Sequence, residues 1–301
     1  MRTDVECLPC FVRQSLQVAR IAECPPTVQL RVVQKIAAMV ANLDVSLSPP
    51  DNAGLIYQAI SEITGCEDPY RNLKIMSNEQ ALKIVPALRR EMEAGASQLM
   101  LALRFAIAGN CIDYGAFVDV DIPRALDKSR NCPLAIDHTA CLKNRVASLK
   151  KGAVVLYLAD NSGEIVYDSL LIDYFSRQGL EIIVAVKDGP IINDALIEDA
   201  RVAGLDRFGR IISNGSRCPG TVLSKCSAEF CQIFASADLV ISKGQGNFES
   251  LSEVDREIFF LLLVKCAVAG RHMAERAGVN AAKLPGHGEM VVYCPAMNTS
   301  R

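Results

Sequence analysis

The sequence predicts an α/β protein with a Rossmann-like, mostly parallel sheet and an N-terminal all-helical subdomain. Apolar residues recur with helical spacing in the first part of the chain, and short β-branched runs alternate with helical segments in the second. Polar residues also follow directly after several of those runs. We therefore predict a helical half over residues 1–150 and a Rossmann-like α/β half over residues 151–301 that carries a metal site.

Composition and charge limit the classes of function. The chain has 301 residues, 50% of them hydrophobic, and a formal net charge of −2 at pH 7. Because no block of basic residues is present, a nucleic-acid partner has little electrostatic support. The strongly apolar run 258–264 is far shorter than the ~18 residues that cross a bilayer, so we expect no membrane partner. The polar N-terminal residues lack the apolar segment of a secretory signal, and we expect a cytoplasmic protein.

The helical half contains apolar residues three and four positions apart. Five segments show this spacing: 10–21, 28–43, 53–64, 79–94 and 96–108. Gly65 is expected to end the third segment, and Asn78 or Ser77 to cap the fourth. Pro86 predicts a break or a kink in that fourth segment. No convincing strand alternation is present in this half.

The α/β half contains short apolar runs that predict strands. The predicted strands are 154–158, 182–186, 210–213, 239–242, 259–264 and 290–293. The predicted helices between them are 164–177, 194–203 and 227–236. Residues 259–277 form either a strand followed by a helix or one long helix. Strand–helix alternation of this kind predicts parallel pairing with helices on both faces of the sheet.

The first predicted strand is followed at once by Asp160, Asn161, Ser162, Gly163 and Glu164. A carboxylate and a carboxamide at the carboxyl end of a strand lie in the crevice where open α/β sheets bind ligands. Their oxygen atoms suit a hard divalent cation, and the following helix N-terminus suits an anion. The structural alternative is that Asp160 and Asn161 form only a turn and a helix cap.

Other predicted strand ends carry polar residues as well. Asn193 and Asp194 follow the second strand, where either residue could simply cap a helix. A small polar loop that contains Asn214 follows the third strand, and a lysine–glycine loop, residues 243–247, follows the fourth. Glycines in such loops let the backbone approach an anion closely. The loops match neither a Walker sequence nor a Gly-x-Gly-x-x-Gly fingerprint, yet together they predict a site for a metal and a phosphorylated ligand.

Cys7 and Cys10 form a Cys-x-x-Cys pair. This spacing suits a metal knuckle, a redox dithiol or a packed pair of thiols. A structural zinc site needs four ligands, and the sequence shows no second Cys-x-x-Cys and only three histidines. A disulfide framework is not expected in a chain of this size without an export signal.

Several motifs together resemble one family. The motifs are Asp160-Asn161-x-Gly163-Glu164, Gly189-Pro190-x-x-Asn193-Asp194-Ala195, Ser242-Lys243-Gly244-Gln245-Gly246-Asn247-Phe248-Glu249, Asp68-Pro69-Tyr70, and Ala108-Gly109-Asn110-x-x-Asp113-x-Gly115. They resemble the family called domain of unknown function 89, the ARMT-like damage-control phosphatases, in its branch with an N-terminal Cys-x-x-Cys. The resemblance implies a metal-dependent phosphatase that acts on small phosphorylated metabolites such as sugar phosphates or damaged metabolites.

The resemblance also implies residue roles. The implied metal ligands are Asp160, Asn161 and Asp194. The implied cation is Mn²⁺, Ni²⁺, Co²⁺ or Mg²⁺, and oxygen ligands by themselves favour Mg²⁺ or Mn²⁺. Glu164 would position a water or a substrate hydroxyl, and Lys243 would neutralise phosphoryl charge. The implied substrate-binding residues are Lys243, Gly244, Asn247, Asn214, Asn110 and Asp113.

Alternatives remain open at this stage. The nucleophile is either metal-activated water, which we prefer, or Asp160 itself through an aspartyl-phosphate. A carboxyl methyltransferase that uses S-adenosylmethionine is a second function, although no Gly-x-Gly loop follows the first strand. A third is a non-enzymatic metal- or nucleotide-binding sensor in which Cys7 and Cys10 report redox state or zinc.

Overall fold

A computed structural model describes residues 1–111 and 122–298 of the chain. Its sheet has seven strands in the order β1-β7-β6-β5-β2-β3-β4, and every neighbouring pair is parallel except β6 and β7. The strands are β1 Ile136–Asp137, β2 Val154–Leu158, β3 Glu181–Val186, β4 Gly209–Ser213, β5 Leu239–Lys243, β6 Phe259–Val264 and β7 Glu289–Tyr293. The predicted fold class, a mostly parallel α/β sheet, is confirmed.

Helices precede the sheet and connect its strands. Those of the helical half are α1 Cys7–Ile21, α2 Pro26–Val40, α3 Pro49–Thr64, α4 Arg71–Ala94, α5 Gln98–Ala108, α6 Ile122–Asn131 and α7 Thr139–Ser148. Those of the α/β half are α8 Glu164–Arg177, α9 Ile197–Val202, α10 Ala228–Ser236, α11 Gln245–Leu251 and α12 Ala267–Ala277. The ambiguous stretch 259–277 is therefore a strand followed by a helix.

Strand β2 lies at the centre of the sheet and is buried on both faces. Val155 and Tyr157 pack into one apolar cluster, whereas Leu156 and Leu158 pack into the cluster on the opposite face. This alternation follows from the two-residue period of a strand. The continuous apolar run in the sequence therefore reflects helices on both sides of the sheet.

The helical half differs from its prediction in two places. Helix α4 begins at Arg71 and continues through Pro86, so Ser77 and Asn78 lie inside it and cap nothing. The reason is tertiary: the Asn78 side chain accepts a hydrogen bond from the Gly163 backbone N–H at 2.7 Å. The half also supplies a strand, because Ile136–Asp137 pairs with β7.

The two halves share one apolar core. Helices α4 and α5 pack against α8, and Phe105, Tyr157 and Tyr167 belong to a single buried cluster. The division near residue 150 stays a prediction. Across the described ranges, no helix is both long and apolar enough to cross a membrane. The cytoplasmic location likewise stays a prediction.

Candidate active site

Three adjacent strands, β5, β2 and β3, end at the same edge of the sheet. Asp160 and Asn161 follow β2, Asp194 follows β3, and Gly244 follows β5. Asn161 and Asp194 form an isolated β-bridge, and the Ala195 N–H donates to the Asp160 carbonyl at 2.8 Å. The structure thus brings the three predicted metal ligands together.

The Asp160 carboxylate is the centre of this arrangement. Its Oδ2 accepts hydrogen bonds from the Asn161 amide at 2.8 Å and from the Asn110 amide at 3.0 Å. Burial raises the pKa of the Asp160 carboxyl well above its usual range, and the negative charges of Glu164 and Asp194 raise it further. We call Asp160, Glu164 and Asp194 the carboxylate cluster. These three side chains bring negative charges together in the protein interior.

Gly244 makes room for the Asp160 carboxylate. Its φ is +76°, a left-handed conformation that side chains disfavour, and a Cβ at this position would collide with all three carboxyl atoms of Asp160. The sequence prediction that this glycine lets an anionic ligand approach closely stays a prediction. The group that approaches Gly244 within the protein is Asp160.

Glu164 is the first residue of α8 and is buried. One carboxylate oxygen accepts from the amides of Asn110 and Asn161, and the other accepts from Lys243 at 2.6 Å. A carboxylate in the first helical turn also interacts favourably with the helix dipole. Glu164 is therefore held in one orientation by three donors.

Lys243 contacts groups of the protein itself, and its predicted role as a phosphate ligand stays a prediction. Its ammonium is fully buried and donates to the Ala106 carbonyl at 2.9 Å and to Glu164 and Asp168 at 2.6 Å each. A lysine has three N–H donors, so these acceptors use all of them. Burial acts to lower the pKa of Lys243, but Asp168 and Glu164 raise it above its ordinary value. In this geometry Lys243 orients carboxylates and offers no donor to a phosphate.

Two predicted substrate-binding amides are also engaged within the protein. The Asn247 amide donates to the carbonyls of Ala159 and Lys243 and accepts from Thr221, so it ties the ends of β2 and β5 together. Asn214 accepts from the Ser216 N–H at 2.9 Å and shapes the loop after β4. These contacts give both amides a structural role, and their substrate-binding role stays a prediction.

Asn110 and Asp113 are also among the residues that the resemblance implies bind the substrate. The Asn110 amide instead bridges Asp160 and Glu164 from the end of the helical half. Asp113 lies outside the described residues.

Sequence reasoning missed Lys187, Asp168 and Asn78. Lys187 follows β3 directly and is buried, with its ammonium 3.5 Å from Oδ2 of Asp194. Asp168 lies four residues after Glu164 on α8, a spacing that places both on one helix face and could have indicated their shared partner. The sequence contains no local signal for the role of Asn78, because that role depends on contacts with Gly163 and Asp199 far along the chain.

The alternative that Asp194 caps a helix is wrong, since α9 begins only at Ile197. The site fits a cation through its donor set, because carboxylate and amide oxygens suit hard divalent ions. Within residues 1–111 and 122–298, no three His, Cys, Asp or Glu side chains form a metal-binding group by themselves. An amide oxygen such as that of Asn161 would therefore have to complete the set of ligands around a cation.

The Cys7 thiol lacks the lowered pKa of a reactive cysteine. The described cysteines are free thiols, and burial raises the pKa of Cys7 to about 11. The Cys10 sulfur accepts hydrogen bonds from Arg13 and Gln14. This geometry favours the packed pair of thiols.

A mostly parallel sheet whose carboxyl edge carries buried carboxylates, amides and lysines is typical of an α/β protein with a ligand site at that edge. Residues 3–280 match the model of the damage-control phosphatase ARMT1-like domain. The damage-control phosphatase PH1575 of Pyrococcus horikoshii is 35% identical over 277 residues, which cover 91% of this chain and 94% of that protein. A damage-control phosphatase of Archaeoglobus fulgidus is 34% identical over 246 residues, which cover 79% of this chain and 84% of that protein.

A solved structure agrees with these sequence relatives. The crystal structure of a DUF89 family protein from Pyrococcus horikoshii has a TM-score of 0.86 and 33% identity, covering 98% of this chain and 99% of that one. The chain belongs to the ARMT1-like damage-control phosphatase family, as its motifs predict. Membership of the branch with an N-terminal Cys-x-x-Cys stays a prediction.

Proposed function

We propose that this protein is a metal-dependent phosphatase that hydrolyses small phosphorylated metabolites at the carboxylate cluster. The observation that carries the proposal is the buried Asp160 carboxylate at the meeting point of β2, β3 and β5, with Asn161 and Asp194 beside it. Membership of a phosphatase family supports the same reaction class.

Asp160, Asn161 and Asp194 would hold the cation, and Mg²⁺ or Mn²⁺ suits their oxygen atoms better than Ni²⁺ or Co²⁺ does. The cation would supply positive charge to the phosphoryl oxygens and activate a water as nucleophile. The protein's own residues prepare the site for this chemistry. Lys243 holds the Glu164 carboxylate in one orientation. Glu164 in turn accepts from the Asn110 amide, and the Asn161 amide donates to the Asp160 carboxylate.

Glu164 would orient the attacking water or a substrate hydroxyl, with its position already determined by Lys243. Positioning and charge neutralisation are the main contributions that proteins make to phosphoryl transfer. We prefer water to Asp160 as the nucleophile, because Gly244 and the two amides enclose the Asp160 carboxylate on several sides.

The test is hydrolysis of para-nitrophenyl phosphate by metal-stripped protein to which single divalent cations are returned. We expect turnover to require the cation and to disappear in Asp160→Ala and Asp194→Ala, with cation binding followed by calorimetry in the same samples. Asp188→Ala is the matched control, since Asp188 lies on the same loop as Asp194 but is exposed.

Turnover that persists in both site variants would place the chemistry elsewhere. No turnover with any cation, in protein that binds one, would overturn the phosphatase proposal. A burst of phosphoenzyme in rapid-quench experiments would replace water with a carboxylate nucleophile.

A further inference from the structure

A large cavity lies between the helical half and two loops of the α/β half. Its volume is about 540 Å³, within the range of small-molecule sites. One wall is the face of α3 with the loop after it, including Tyr57 and Tyr70. The opposite wall consists of the loops after β3 and β4, including Ile192, Ser216 and Arg217. None of the carboxylate cluster residues lines this cavity.

The cavity and the carboxylate cluster nevertheless share one turn of the chain. Ile191 and Ile192 line the cavity, and the Asp194 N–H donates to the Ile191 carbonyl at 3.1 Å. Such a turn keeps its first and fourth Cα atoms within about 7 Å of each other. The Asn193 carbonyl, in the same turn, accepts from the Ser162 N–H at 2.9 Å. The cavity is therefore a neighbour of the proposed metal site.

The turn is held in a conformation that its residues do not favour. Ile192 has a φ of +46°, which is unusual for a β-branched residue. Its side chain packs against the apolar cluster of α1, α2 and α3. Packing from the helical half thus fixes the turn that carries Ile192 on the cavity wall and Asp194 in the carboxylate cluster.

The chemistry of the cavity wall suits an organic group with an anionic end. Tyr57, Ile192 and Pro190 supply apolar surface, and Arg217 supplies a cation. Arg217 donates to Glu67 at 2.8 Å across the two walls, and both side chains are largely exposed. Ion pairs this exposed contribute little to stability, so a carboxylate of a ligand can replace Glu67 at Arg217.

We propose that this cavity binds the organic part of the substrate and favours phosphomonoesters whose extended chain ends in a second anionic group, which Arg217 binds. This inference rests on the proposed phosphatase function. It extends that function by naming a class of substrate and a residue that selects it.

The test compares ω-carboxyalkyl phosphates with alkyl phosphates of the same chain length, from short to long chains. We expect the ratio of their kcat/KM values to rise with length to about tenfold, equivalent to ~1.4 kcal/mol. Arg217→Gln should return the ratio to about one. Glu67→Gln should increase it, because the competing carboxylate charge is removed.

Arg210→Gln is the matched control, because Arg210 is an exposed arginine on β4 that does not line the cavity. Each ratio is measured within one protein preparation, so partial unfolding of a variant cancels. A ratio near one at every length in the unaltered protein would overturn the proposal, as would an unchanged ratio in Arg217→Gln. Hydrolysis of para-nitrophenyl phosphate by the same samples reports separately on the phosphatase function.

Discussion

The ammonium nitrogen of Lys243 lies 2.6 Å from Oδ1 of Asp168, and both side chains are completely buried. Lys243 donates at the same distance to Glu164, so Asp168 is linked through one lysine to a residue of the carboxylate cluster. A buried charge is tolerated only when it is paired and hydrogen-bonded. Asp168 is therefore a positioning residue for Glu164, and it acts on the proposed chemistry only through Lys243 and Glu164.

Asp168→Ala is expected to reduce the free energy of unfolding by about 3–5 kcal/mol, because it removes one partner of a buried ion pair. Asp168→Asn keeps an acceptor for Lys243 and should cost less. Urea unfolding at neutral pH measures both changes. Asp206→Ala, at an exposed position, is the control. If both variants lost the same free energy of unfolding, the buried ion pair would not be the cause of the loss in Asp168→Ala.

The pH dependence of stability should also report on Asp168. Burial, only partly offset by Lys243, raises its pKa from 3.8 to about 7. The folded protein then binds more protons than the unfolded chain between these two values, so the free energy of unfolding falls as pH rises through that interval. Asp168→Asn should flatten this decline in denaturation experiments across the interval. Identical pH dependence in the variant and the unaltered protein would contradict the assignment.

Gly244→Ala is expected to abolish phosphatase turnover, since the added Cβ would collide with the Asp160 carboxylate. Gly278→Ala provides a matched control: its φ is +65°, and a Cβ there meets nothing within 4 Å. Both substitutions strain the backbone, more strongly at Gly244, whose φ of 76° and ψ of 161° are accessible essentially to glycine alone, than at Gly278 in the αL region, but only Gly244→Ala disturbs the site. Steady-state kinetics measures the loss of turnover, and thermal melting of the same variants measures the loss of stability from backbone strain. Equal loss of turnover in the two proteins would show that strain alone is responsible.

Asn78→Ala should lower both stability and turnover. It removes the acceptor for the Gly163 N–H at the start of α8 and the donor to Asp199, both of them buried contacts. Leaving buried polar groups unpaired costs about 1–3 kcal/mol for each group. Asn42→Ala, an exposed asparagine on the helical half, is the control in unfolding and kinetic measurements. A variant with unchanged stability would show that Asn78 does not hold the two halves together.

The elements that the sequence predicts best are those with continuous local signals. Strand β2 and helix α8 have their predicted boundaries, because an apolar run and a regular helical period define them from end to end. The convergence of Asp160, Asn161 and Asp194 was predicted as well, since the carboxyl ends of neighbouring parallel strands meet at one edge; their role as metal ligands stays a prediction. Local sequence patterns of this kind predict where a residue lies along its own strand or helix.

The contacts of individual polar side chains could not be predicted from the sequence, for a physical reason. Lys243 follows a strand and precedes a glycine, which is typical of an anion-binding lysine, yet its three acceptors come from α5 and α8. Asn78 resembles a helix cap in the sequence, but the contacts of its side chain lie 85 and 121 residues away. A hydrogen bond of that kind depends on the packed fold, and no local pattern contains it.

The bond from Lys243 to the Ala106 carbonyl has a consequence for biosynthesis. The two residues are separated by 137 positions, and a ribosome that adds about 5–20 residues per second needs on the order of 10 s to pass from one to the other. Throughout that delay, α5 exists without the cation to which its carbonyl is finally bonded. Catalytic competence therefore arises late in translation, because a nascent chain that stops before β5 contains the whole carboxylate cluster with Asn110 and Asn161 but lacks Gly244 and Lys243, the lysine that holds Glu164.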